Sequence, residues 1–329
     1  MSNIESSLLS SILRNYKSGK LRKSSLIEKV LSIINESDDY KARKSAIKLF
    51  RHLDIKDAEI FKSIENSMLS DENPHVRQEA IKLIFKNFSN LAKDSLEWVA
   101  EHENSPLILN TLKKLLGERT AIQNAALFKI VKDKIEVIAS KLGVNSSEID
   151  FFLDIESLFV KHDFKSKIDF RFYKNLTRLK TFNEVNYWLR IENNHVKKLF
   201  FNFYYWKILR EKCYLFEPLS KMNDPTTYLY YIKKYESLEP YNIKLPCSIG
   251  LLKNLECLDL SGNGLRHLPL SFCNLTKLKC LILKNNNFTR FPSVLLKLKS
   301  LKFLDMSKNK LDEKSKNQFK EISLETFIG

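Results

Sequence analysis

Apolar positions in the last third of the chain recur as one phrase at an unchanging step of 23 residues. Leu255-x-x-Leu258-x-Leu260-x-x-Asn263-x-Leu265 returns as Leu278-x-x-Leu281-x-Leu283-x-x-Asn286-x-Phe288, and again as Leu301-x-x-Leu304-x-Met306-x-x-Asn309-x-Leu311. Leu245-Pro246, Leu268-Pro269 and Phe291-Pro292 keep the same step. The apolar-x-apolar centre predicts a short strand that buries alternate side chains. One such turn cannot cover its own apolar ridge, but stacked turns can, which predicts a parallel sheet along one side of a coil. The Asn after each strand is expected at an inside bend, its amide pairing backbone groups of adjacent turns.

The phrase resembles the leucine-rich repeat family, in the short form whose turns read Leu-Pro-x-x-Ile-x-x-Leu. Leu245-Pro246-Cys247-Ser248-Ile249 with Leu252 shows it best. The resemblance implies a solenoid that binds proteins, in some members small GTPases or signalling proteins. The surface expected to do so lies between the buried leucines: Glu256, Cys257, Asp259, Ser261, Lys279, Cys280, Ile282, Lys284, Lys302, Phe303, Asp305 and Ser307. Ile282 and Phe303 are the expected apolar anchors. Cys257 and Cys280 fall at the same point of adjacent repeats; with no His or further Cys in those columns they read as two small stacked residues, and no metal or cofactor is expected.

Earlier in the chain the period becomes helical. Lys41-Ala42-Arg43-Lys44-Ser45-Ala46-Ile47-Lys48-Leu49 aligns with His75-Val76-Arg77-Gln78-Glu79-Ala80-Ile81-Lys82-Leu83 after a shift of 34 residues. Each follows an acidic turn and an apolar helical pattern, and Pro74 suits a helix start. This resembles the HEAT family of helical repeats over roughly residues 21–117, including the Val-Arg-x-x-Ala-Ile run from Val76. A third pair is expected between Leu91 and Leu116, with Pro106 opening its second helix and Gly117 stopping it. Arg43 and Arg77, repeating at the same step, are expected to pair with acidic turn groups such as Asp38, Asp39 and Asp71. Ahead of these, Ile4, Leu8, Leu9, Ile12 and Leu13 predict an amphipathic helix.

Between the two arrays, Ile138-Ala139-x-x-Leu142-Gly143-Val144-Asn145-Ser146-Ser147-Glu148-Ile149 resembles a helix-turn-helix, with Gly143 turning the chain and Ser146 capping the second helix. With Phe164 to Phe172 as a wing it would make a winged helix. The residues that would enter a DNA groove, Ser146, Ser147, Glu148, Asp150 and Phe151 with Asp154 and Glu156 beyond, are acidic and poor at reading bases. A structural or protein-binding use is favoured. Two strands are expected around Asn193-Asn194. Val196-x-x-Leu199-x-Phe201-x-x-Tyr204-x-Trp206 mimics the repeat phrase, and this aromatic segment is expected to cap the first turn. Ile232 and Tyr235 hint at a worn repeat, and Asp312 to Ile322 predicts a closing polar helix.

Composition narrows the function. The net charge is +16, spread as +3 over residues 1–120, +6 over 121–245 and +7 over 246–329. The C-terminal excess, Lys277, Lys279, Lys284, Arg290, Lys297, Lys299, Lys302 and Lys308, suits either an acidic protein partner or nucleic acid. No apolar run approaches the roughly 18 residues of a membrane span. Five cysteines, an odd number, and the absence of a signal-like N-terminus predict a cytoplasmic protein. No phosphate-binding Gly loop, nucleophile elbow or metalloprotease motif occurs, and the six histidines are scattered, so no catalytic residues are assigned and no enzyme is expected.

The expected fold class is α+β and multi-domain: a HEAT-like α-helical solenoid over residues 1–120, a winged-helix-like segment over 121–186, an aromatic cap with a degenerate repeat over 187–245, and a short leucine-rich-repeat α/β solenoid with a capping helix over 246–329. The expected function is a non-catalytic interaction scaffold or adaptor. The alternatives are a nucleic-acid-associated protein using the basic C-terminal region, or a regulatory subunit or effector of a small GTPase or other enzyme.

Overall fold

The computed structural model describes residues 2–118, 125–161, 189–201, 243–313, 315 and 326–328. They form two compact units, Met1–Ile135 with Glu156–Ile168, and Glu136–Ile155 with Asp169–Gly329. The class is α+β, with nine helices among the described residues before a small sheet.

The first unit holds α1 (Ser2–Lys17), α2 (Lys23–Glu36), α3 (Tyr40–Leu53), α4 (Ala58–Ser70), α5 (Pro74–Asn87), α6 (Lys93–His102) and α7 (Pro106–Glu118). Helices α1, α3, α5 and α7 touch in sequence to make one layer, while α2, α4 and α6 make a second. Two-layer packing follows from the apolar stripe repeated at the 34-residue step: Ala42, Ala46, Ile47 and Phe50 of α3 are buried, as are Val76, Ala80, Ile81 and Ile84 of α5. Asp39, Asp57 and Asn73 cap α3, α4 and α5 by accepting from the backbone N–H two residues on, and Pro74 holds the first turn of α5. Helix α7 begins at Pro106 as expected but runs through Gly117 to Glu118, so Gly117 does not stop it.

An arginine ladder ties the turns of this unit together. Arg43 Nε and Nη2 donate to the two carboxylate oxygens of Asp71 at 2.8 and 3.0 Å, while its Nη1 donates to the carbonyls of Ser37 and Asp38 at 2.9 and 3.2 Å. Arg77 repeats the pattern, with Nε on Glu103 at 2.9 Å and Nη1 on the carbonyls of Asp71 and Glu72 at 2.8 and 3.1 Å. The expected pairing of Arg43 with Asp71 is present. Asp38 contributes its carbonyl, and the Asp39 side chain caps α3 instead.

Helix α8 (Ala125–Leu142), which enters the second unit at Glu136, ends at Gly143, whose φ of +73° makes the turn; α9 (Ile149–Lys161) follows and belongs to the second unit through Ile155. The Asn145 side chain, rather than Ser146, organises this turn by accepting from Ser147 N and Oγ at 3.0 and 2.8 Å. The predicted wing at 164–172 lies outside the described residues. The predicted hairpin is β1 (Leu189–Glu192) and β2 (His195–Phe200), joined by Asn193 and Asn194 at φ +51° and +60°, the left-handed pair that a two-residue hairpin turn requires.

The sheet continues through β3 (Cys257–Asp259), β4 (Cys280–Ile282), β5 (Phe303–Asp305) and β6 (Thr326–Ile328) in sequence order. From β2 onward all pairings are parallel and, between β3, β4 and β5, in register at the 23-residue step. Leu258, Leu281 and Leu304 are at most 1% exposed, and Leu260, Leu283 and Met306 are equally buried. On the return side, Pro246, Pro269 and Pro292 each open a short 3-10 turn: Cys247–Leu251, Leu270–Asn274 and Ser293–Lys297. Ile249, Phe272 and Leu295 form their buried column.

The place beside β3 that the worn repeat at Ile232 and Tyr235 was expected to fill is held by β2; those two residues lie outside the described ones. At the other end β6 adds a strand, with Thr326 opposite Phe303 and Ile328 opposite Asp305. Most of the expected closing helix also lies outside the described residues.

Successive turns approach closely at Gly250. A Cβ there would stand 2.3 Å from the Ser271 carbonyl oxygen, and Ser271 Oγ already donates to the Cys247 carbonyl at 2.6 Å. Because backbone must shift to admit a methyl group, Gly250→Ala is expected to cost about 1–3 kcal/mol. Gly117→Ala is the control: nothing lies within 4 Å of its added Cβ, and alanine favours the helix by roughly 0.5–1 kcal/mol. Denaturant midpoints of the two variants should move in opposite directions.

Candidate functional site

Residues that alternate with the buried leucines fall into columns across the strands, because a parallel register at the repeat step places each one beside its counterpart. Lys197, Glu256, Lys279 and Lys302 form a charged column. Glu256 accepts from Lys197 Nζ at 3.3 Å and Lys279 Nζ at 2.9 Å, and these two hydrogen bonds hold its carboxyl below the usual range. Both pairs are partly solvated, so each serves more to fix the side chains than to stabilise the fold.

The next column is Lys198, Cys257, Cys280, Phe303 and Thr326. Cys257 and Cys280 are direct partners across β3 and β4, and both residues and Phe303 are half-buried. A third column holds Phe200, Asp259, Ile282, Asp305 and Ile328, with Ile282 half-buried and Ile328 exposed. Ser261, Lys284 and Ser307 follow in the fourth.

One expected surface residue is not at the surface. Asp305 is buried, its carboxylate accepting from Ser307 N and Oγ at 2.8 and 2.7 Å while β6 pairs alongside it. Asp259 makes the same turn with Ser261 at 2.8 and 2.5 Å. Burial pushes the Asp259 carboxyl up, against the Ser261 hydrogen bonds, and Asp305 raises it further by like-charge repulsion. These two carboxylates therefore shape the loop after the strand. The exposed part of the expected set is Lys279, Lys284 and Lys302, with Glu256, Cys257, Asp259, Ser261, Cys280, Ile282, Phe303 and Ser307 half-buried beside them.

The basic residues expected as one stripe divide between elements. Lys279, Lys284 and Lys302 lie along the strand side, whereas Lys297 closes a 3-10 turn and Lys277 donates to Asn254 Oδ1 at 2.8 Å. Lys197, Lys198 and Phe200 on β2 and Thr326 on β6 extend the columns and were missed. The β2 signal was visible in Val196-x-x-Leu199-x-Phe201, yet Leu199 pairs with Leu258 across 59 residues rather than 23. The β6 signal, Leu324-x-x-Phe327, keeps the 23-residue step from Leu301-x-x-Leu304.

The helix whose side chains would have entered a DNA groove is engaged inside its own unit. Glu148 is buried; its oxygens accept from His195 Nδ1 at 3.0 Å and Val196 N at 2.9 Å. Burial raises the Glu148 carboxyl, and the Val196 and His195 hydrogen bonds offset this in part. Phe151 meets Phe201 edge-on at 6.4 Å, and Asp154 accepts from Ser248 Oγ at 2.6 Å in the first 3-10 turn. The start of α9 and the hairpin thus close the first turn of the coil, where an apolar end would otherwise meet water.

Residues 229–325 match the family profile described as Leucine-rich repeat region. No curated protein matches the chain. Among solved structures, a leucine-rich repeat protein of Leptospira interrogans is 26% identical over 26% of this chain and 28% of its own, with a TM-score of 0.22. No described helix is long and apolar enough to cross a membrane. The repeat phrase, its in-register parallel ladder and the profile match make the C-terminal part of the chain a leucine-rich repeat region, a fold that in general serves protein interaction.

Proposed function

We propose that the chain is a non-catalytic, cytoplasmic interaction scaffold that docks an acidic protein partner on the exposed side of its leucine-rich strands. The observation that carries this reading is the pairing of apolar Ile282 and Phe303, part-exposed on neighbouring strands, with the exposed Lys279, Lys284 and Lys302 beside them. An apolar centre with a charged rim is how binding energy and electrostatic steering are usually combined in an interface. Small GTPases, signalling proteins or an enzyme regulated by the array are the partner classes that the leucine-rich family suggests.

The N-terminal unit is, on this reading, a HEAT-like array. Its two helix layers and the Arg43 and Arg77 ladder support that assignment. Helices α8 and α9 followed by β1 and β2 keep the order of a winged helix, and the inward use of Glu148 and Phe151 supports a structural role for it.

Affinity capture from native cells with the full chain tests the docking surface. The triple variant Ile282→Ala, Lys302→Glu, Phe303→Ala is expected to lose at least about ten-fold in retention of the main partner, because truncating a central anchor removes roughly 1–2 kcal/mol or more. Leu270→Ala, at a residue 85% exposed on the 3-10 side, should leave retention unchanged. Identical partners for wild type and triple variant would overturn the assignment. Salt-steep binding of generic DNA or RNA, lost in the same variant, would replace it with the nucleic-acid reading.

A further inference from the structure

We propose that Cys257 and Cys280 form a thiol-oxidation site on the strand face, with Cys257 as the attacking thiol, Cys280 as the resolving thiol and a small-molecule disulfide of the glutathione type as oxidant. The geometry comes first. The two residues are direct partners in a parallel pair, on strands about 4.8 Å apart, inside the Cα separation of about 4.4–6.8 Å that a disulfide bridges. Their thiols are free. Both are half-buried, so solvent reaches them, while Phe303 continues their column on one side and Lys198 on the other.

The surroundings divide the labour between the two sulfurs. The adjoining Cys280 thiol pulls the Cys257 thiol down to about 6, against burial; Lys198 and Lys279 assist and Glu256 opposes. Cys280 is pushed up by the adjoining Cys257 thiol, by burial and by the charges on Cys257 and Asp259, with Lys198 opposing. Cys257 is therefore the thiolate of the pair near neutral pH, and the thiolate is the nucleophile. Once Cys257 is in a mixed disulfide its negative charge is gone, and two of the influences that keep Cys280 protonated disappear with it.

The reaction balances without a further reagent. The Cys257 thiolate attacks one sulfur of the oxidant, forming the mixed disulfide and expelling one small thiolate. Cys280 gives its proton to solvent or to that thiolate, attacks Cys257 Sγ and expels the second small thiolate. Two protein thiols are oxidised to one disulfide and one small disulfide is reduced to two thiols. The product staples β3 to β4 in the middle of the face that carries Ile282 and Phe303.

The test uses the full chain and oxidised glutathione, read by intact mass and peptide mapping. Wild type is expected to lose two hydrogen masses, retain no glutathione at this pair and give a Cys257–Cys280 cross-linked peptide. Cys280→Ser should accumulate one glutathione on Cys257, and Cys257→Ser should react at Cys280 at least several-fold more slowly. A second reading needs no cross-link: the alkylation rate of Cys257 should level off around neutral pH, and Cys280→Ala should move that profile upward. Serine is close to cysteine in size and both sites are half-exposed, so circular dichroism should be unchanged in the serine variants. Absence of the cross-linked peptide after prolonged exposure, stable glutathione on both cysteines, or equal rates in the two serine variants would overturn the proposal.

Discussion

Replacing Asn286 with alanine is expected to cost the leucine-rich unit about 3–5 kcal/mol, more than any substitution of its surface residues. The buried amide serves five backbone groups at once: Nδ2 donates to the carbonyls of Leu260, Leu283 and Lys284 at 3.0, 2.9 and 3.3 Å, and Oδ1 accepts from the N–H groups of Asn263 and Leu265 at 3.1 and 3.0 Å. Each group left buried without a partner costs about 1–3 kcal/mol, and partial relaxation or water entry recovers some of the sum. The bonds cross from one turn to the next, so the loss loosens the stack as well as the bend. Hydrogen exchange provides the readout, since the amides of Asn263 and Leu265 should exchange far faster than in wild type. Asn309→Ala should cost less, because Asn309 is only half-buried. Equal protection of the Asn263 and Leu265 amides in wild type and Asn286→Ala would contradict the account.

The second large effect is expected at Arg43. Its pair with Asp71 is nearly dry, with side-chain exposures of 10% and 8%. The Asp71 hydrogen bond raises the Arg43 guanidinium against the cost of burial, with nearby carboxylates assisting, so the charged form is the one the fold holds. Removing one partner of such a pair leaves the other charge buried and alone, which costs about 3–5 kcal/mol. Arg43→Ala also strips partners from the carbonyls of Ser37 and Asp38. Lys86→Ala breaks an ion pair whose side chains are 47% and 58% exposed and should shift stability by less than about 1 kcal/mol. Far-UV circular dichroism during denaturant unfolding reports mainly the helical unit and separates the two outcomes. A midpoint for Arg43→Ala as close to wild type as that of Lys86→Ala would show that the ladder contributes little.

Both effects were partly legible in the sequence. The Asn column and the repeated arginine were each recognised from their step, because a periodic array gives equivalent residues equivalent neighbours. Asp71 could be named as a partner of Arg43 for the same reason. Its double use was not legible: Asp71 Oδ1 also accepts from Asn73 N, which closes the turn before α5. Asp305 shows the converse failure. Alternation along β5 placed it outside with Asp259 and Ile282, but β6 and Ser307 cover it, and neither follows from β5 alone.

By itself the sequence determined the repeating unit, its buried columns, the polar side chains that close its bends and the helix starts of the first unit. These depend on neighbours within one turn or one repeat step, and periodicity reports them directly. Only the tertiary structure decided that β2 fills the place beside β3, that β6 adds a further strand, and that Glu148, 47 residues from His195, turns inward to close the coil. Such matters depend on which distant segment reaches a site first and what it excludes, and no local pattern of apolar and polar residues carries that information.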